Sequence, residues 1–70
     1  MSQMPQRVVT GRAVTAEMVR RGFTADDLAA AAHIPVDALE LCLVGEVAFD
    51  VDQLVAVAAA LGVRGADFMA

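Results

Sequence analysis

From residue 24 onward, apolar side chains recur at helical rather than alternating spacing, and each run is bracketed by residues that start and stop helices. Thr24 stands three residues before Asp27, the spacing of a reciprocal N-terminal cap, and the helix it opens is expected to run from about Ala25 to Ala32. His33 follows at once. Pro35 fixes a backbone angle suited to a first helical turn, so a further helix is expected over about Pro35 to Val44, with Gly45 to end it. Asp50 and Gln53 repeat the capping spacing ahead of a stripe formed by Leu54, Val57, Ala58 and Leu61, which Gly62 stops. Upstream, Val14 and Met18 lie four residues apart and predict a first helix from Gly11 to Arg21, closed by Gly22. Residues 1–10 show no helical period and are expected to form an N-terminal arm, with 11–70 as the folded domain. The last residues, from Gly65, predict one short turn carrying Phe68. No segment alternates as a strand does. The expected class is therefore all-α: a compact four- to five-helix bundle containing a tight helix-turn-helix.

Length and composition narrow the function more than the fold. Seventy residues allow one small domain and leave no room for a core plus a separate catalytic scaffold. A hydrophobic content of 59% excludes a disordered polar tail. Mean hydropathy is +0.62, yet the longest apolar run, Leu54 to Val63, is far short of the roughly 18 residues that a membrane span needs. Residues 1–12 lack the apolar segment of a secretory signal, and a single cysteine forms no intramolecular disulfide, so a cytoplasmic location is expected.

The segment from Thr24 to Val63 resembles the Xre-type family of lambda-repressor and Cro-like helix-turn-helix domains. The residues that carry the likeness are Leu28 and the small Ala29 in the first motif helix, Ile34 after the turn, Leu39 and Cys42 inside the second, and the Leu61-Gly62-Val63 ending of the fourth helix. Phe68 matches an apolar position of the family's terminal helix. The resemblance implies a lambda-repressor-like fold and, in typical members, a dimer that reads DNA. At His33 the family usually has glycine, because the turn often needs a positive φ, a region histidine tolerates better than most side chains.

The departures that bear on function lie on the second motif helix, which in the family enters the major groove with polar and basic side chains. Here the sequence reads Val36, Asp37, Glu40 and Leu41, followed by Val44, Glu46 and Val47, with no Arg, Lys, Asn or Gln to make a paired contact with a base. Ala25 replaces the glutamine that often meets a phosphate. The net charge of −4 is also unevenly spread: residues 1–23 carry +3 and residues 24–70 carry −7. Only Arg7, Arg12, Arg20 and Arg21 are then available to attract phosphate. Meanwhile Val36, Leu41, Leu43, Val44, Val47 and Phe49 cannot all face one small core, so some are expected to form an apolar patch rimmed by Asp37, Glu40 and Glu46, as protein-binding surfaces do.

Two functions follow. In the first, the former DNA face docks on protein, either a second copy or a transcription or host-control partner, with weak or no direct DNA binding. In the second, a dimer binds DNA through the N-terminal arginines. No enzyme activity, small-molecule substrate, membrane association or cofactor is expected, and one His with one Cys cannot complete the four ligands of a structural zinc site. Cys42, at a core position, is expected to act as a small hydrophobe.

Overall fold

The computed structural model describes residues 4–68, which form four α-helices and a terminal 3-10 turn: α1 Gln6–Arg21, α2 Ala25–Ala32, α3 Val36–Leu43, α4 Val51–Leu61 and the turn Gly65–Phe68. Helix α2 packs on α4 and on α3, α1 lies against α3, and the terminal turn closes over α4 and α1. This is an all-α helix-turn-helix bundle, with α2 and α3 as the motif pair.

Both expected caps form reciprocally. At α2, Thr24 Oγ1 accepts from the Asp27 N–H while Asp27 Oδ2 accepts from the Thr24 N–H, each at 3.0 Å. At α4, Asp50 Oδ1 accepts from Gln53 N–H at 2.7 Å and Gln53 Oε1 from Asp50 N–H at 3.0 Å. Each exchange satisfies two donors that a helix start otherwise leaves unpaired.

Three helix ends share one construction. After α1, α2 and α4 a residue in the left-handed region is followed by an apolar residue whose N–H reaches back five positions: Phe23 to Met18, Ile34 to Ala29 and Val63 to Ala58, at 2.8–3.0 Å. This is the Schellman pattern, and the apolar residue it directs inward seats on the core. Glycine supplies the left-handed position at Gly22 and Gly62, whereas α2 ends on His33 at φ 57.

The first helix departs from the sequence expectation. It begins at Gln6 behind Pro5, not at Gly11, so residues 6–10 of the expected arm are its first turns; Met1 to Gln3 lie outside the described residues. Tertiary contact explains the extra length. Thr10 and Gly11 are buried, Val8 lies against Gly45, and the Thr10 hydroxyl donates to the Phe68 carbonyl at a long 3.5 Å. The core beneath is built on Val14, Leu28, Leu39 and Val57, all fully buried.

Candidate interaction face on the second motif helix

Helix α3 turns Leu39 and Cys42 into the core and half-buries Val36, Ala38 and Leu43 against it. The opposite side is left to Asp37, Glu40, Leu41 and Val44, all exposed, and Glu46 and Val47 continue it beyond the helix end. Val44 is 67% exposed and Leu41 43%, high values for side chains whose burial is worth about 1.5–3 kcal/mol each. Of the eight apolar and acidic candidates, Val36, Leu43 and Phe49 thus pack against the core, while Asp37, Glu40, Leu41, Val44 and Val47 share the open surface.

The four arginines do not form one surface. Arg7 lies by a pocket lined by Thr10, Phe49, Asp50, Leu54 and Phe68. Arg12 borders a groove between α1 and α3, whose other wall carries Glu40, Leu43 and Val44. Arg20 and Arg21, at the far end of α1, both reach Glu17, at 3.3 and 3.1 Å. At 100° per residue Arg12 and Arg20 point outward from the bundle, whereas Arg7 and Arg21 fall in line with the buried stripe of Gly11, Val14 and Met18, at its two ends.

Cys42 is buried, and desolvation pushes its thiol above the ordinary value, with the Asp50 carboxylate adding to the effect. That environment disfavours the thiolate that a nucleophile requires. Among the described residues no three His, Cys, Asp or Glu side chains gather where they would hold a metal ion, and no helix is long and apolar enough to cross a membrane.

Two solved structures of the clp gene regulator ClgR from Corynebacterium glutamicum superpose closely on this chain. One gives a TM-score of 0.89 at 25% identity, covering 96% of this chain and 87% of that one. The other gives 0.92 at 25% identity, covering 97% and 72%. The chain has the fold of a helix-turn-helix regulator. No protein-family model matches it, and no curated protein does, so the likeness to the Xre and Cro-like group stays a resemblance of sequence pattern. What the sequence pattern missed was the part α1 plays in the candidate face: its unrecognised first turns supply Val8 and frame Arg12 opposite Glu40. The available signal was Gly11, a glycine inside an otherwise helical stretch, which marks a close backbone approach.

Proposed function

We propose that the chain is a small regulatory helix-turn-helix protein of the cytoplasm that works by docking on protein through the outward side of α3, with weak or no direct DNA binding. One observation carries this: the exposed side chains of that region are Asp37, Glu40 and Glu46 with Leu41, Val44 and Val47. A carboxylate brought to about 4 Å from a phosphate is repelled by about 1 kcal/mol even at the dielectric of water, and three of them act here, two on α3 and one just past its end, with no basic residue on that helix. The same region offers no amide or guanidinium to read a base edge. Apolar side chains inside an acidic rim suit a polypeptide surface instead.

A second reading, direct DNA binding by a dimer, draws support from the close superposition on a gene regulator at 25% identity. It would rely on Arg7, Arg12, Arg20 and Arg21 for phosphate contact. A retardation assay on duplex DNA at low and moderate salt separates the two. Protein docking predicts no retarded band at low salt, together with loss of the protein complex in Leu41→Glu or Val44→Glu at unchanged helicity. A band whose affinity falls steeply with salt, and which disappears in the Arg20→Ala, Arg21→Ala double variant, selects DNA binding instead.

A further inference from the structure

Two exposed helix faces of opposite charge lie side by side on this molecule. On α1, Arg12, Ala16 and Val19 recur at i, i+4 and i+7, and all three are exposed, Val19 to 77%. On α3, Asp37, Glu40 and Val44 recur at i, i+3 and i+7 and are exposed as well. The groove between the helices has Arg12 on one wall and Glu40 on the other, with Val8, Leu43 and Val44 lining it. Although both charges border the same groove, no ion pair joins them within 4.0 Å. The other outward arginine of α1, Arg20, is paired to Glu17.

The geometry points to a second copy of this chain as the occupant of that surface, joined about a two-fold axis so that α1 of each protomer lies on α3 of the other. This deepens the protein-docking reading given above, and rests on it, by naming the partner. An isologous interface requires a patch complementary to itself, and a patch holding one basic-apolar helix beside one acidic-apolar helix meets that requirement under a two-fold rotation. Arg12 of each protomer then meets Glu40 of its mate, giving two equivalent ion pairs, while Val19 and Val44 lose their exposure to water. A foreign partner would need to match both signs at once, whereas a second copy does so by symmetry. The extent is also suitable. A standard interface takes roughly 800 Å² per partner, a modest share of the 4518 Å² accessible surface. Overall repulsion between two chains of net charge −4 keeps the dimer dependent on these local pairs.

Sedimentation velocity across the micromolar range tests the arrangement. The chain is expected to sediment as a dimer, and Arg12→Glu and Glu40→Arg are each expected to weaken dimerisation roughly tenfold or more, because each sets like charges against one another. The combined Arg12→Glu, Glu40→Arg variant restores net charge and complementarity together and is expected to recover the dimer. Arg7→Glu changes net charge as Arg12→Glu does, away from the groove, and is expected to leave the dimer intact. Far-ultraviolet circular dichroism checks folding, and Arg12→Gln and Glu40→Gln, which perturb less, should weaken the dimer in the same direction. A monomer at all concentrations, a dimer indifferent to both single changes, or a double variant no stronger than the singles would overturn the proposal. Its failure is separable from that of the docking reading, since sedimentation decides the dimer and the low-salt DNA retardation assay on the same proteins decides whether α3 avoids nucleic acid.

Discussion

The Cα of Gly11 on α1 faces the main-chain carbonyl of Leu43 at the end of α3, so closely that a methyl group on Gly11 would lie 2.6 Å from the Leu43 oxygen and 2.7 Å from that of Cys42. Helix α1 therefore crosses the C-terminal end of the motif helix at near backbone contact. Gly45, just beyond, is similarly tight: a Cβ there would meet the Val8 side chain at 2.7 Å, and its φ of 85 already disfavours a side chain. The outward position of α3 is fixed from this end.

Gly11→Ala is consequently expected to destabilise. Alanine gains about 1 kcal/mol in helix propensity over glycine, but overpacking costs about 1–3 kcal/mol, and the upper part of that range applies because carbonyl oxygens cannot rotate aside as side chains do. The net loss is expected to be about 1–2 kcal/mol, a fall in Tm of roughly 4–8 °C per kcal/mol for a domain this small. A thermal melt showing an equal or higher Tm would mean that the two helices are not in such close contact.

The same contact explains which parts of the fold were legible in sequence. Helices α2 and α4 announce themselves locally, because Thr24 with Asp27 and Asp50 with Gln53 need no partner beyond their own first turn. The start of α1 does not. Its opening turns contain Val8, Val9, Thr10 and Gly11, β-branched residues and a glycine that disfavour helix in isolation. They are helical because Val8 finds Gly45, Gly11 finds Leu43 and Thr10 finds Phe68, pairings 32 or more residues apart that a local pattern cannot reveal. The composition of the candidate face was legible, while its division into exposed Leu41, Val44 and Val47 and half-buried Val36, Leu43 and Phe49 depended on how α3 is rotated against the core.

His33 occupies the left-handed position that Gly22 and Gly62 fill at the other two ends of this kind. That conformation costs a residue with a Cβ roughly 1–2 kcal/mol, while glycine loses about 0.4–1 kcal/mol through greater freedom in the unfolded chain. His33→Gly is expected to leave stability equal or raised by up to about 1 kcal/mol. His33→Val, which brings a β-branched side chain into the same region, is expected to lower it by about 1–2 kcal/mol. Denaturant midpoints of the three proteins check the order Gly, His, Val, and a valine variant as stable as the parent would contradict it.

Asp27 links α2 to pH. The N–H and hydroxyl of Thr24, in that order, hold its carboxyl below the ordinary value of 3.8. Because the folded state favours the charged form, the contribution is complete above that ordinary value and is lost as pH falls through the lowered one. Stability should therefore be flat in this respect from neutrality down to about pH 4 and should decline below it. Asp27→Asn keeps an acceptor oxygen for the Thr24 N–H but does not titrate, so the low-pH limb of its stability profile should be shallower. Identical limbs in the two proteins would remove Asp27 as a source of the acid dependence.

Leu39 and Leu41 are two residues apart on α3 and face opposite ways, the first fully buried and the second 43% exposed. Truncating Leu39 removes a fully enclosed side chain and leaves a cavity in the core, so Leu39→Ala is expected to cost about 2–5 kcal/mol. Leu41→Ala removes a side chain that is already 43% exposed and is expected to cost about 1 kcal/mol or less. The contrast measures the rotation of α3 directly, since turning the helix inward by one residue, about 100°, would bury part of the Asp37, Glu40, Leu41 and Val44 side and bring the two costs together. Equal losses in urea denaturation would therefore indicate a helix whose acidic, apolar side is packed away, leaving nothing for a partner to grasp. Losses separated by 2 kcal/mol or more would keep that side in solvent, where the charge pairing between Arg12 and Glu40 of two copies can operate.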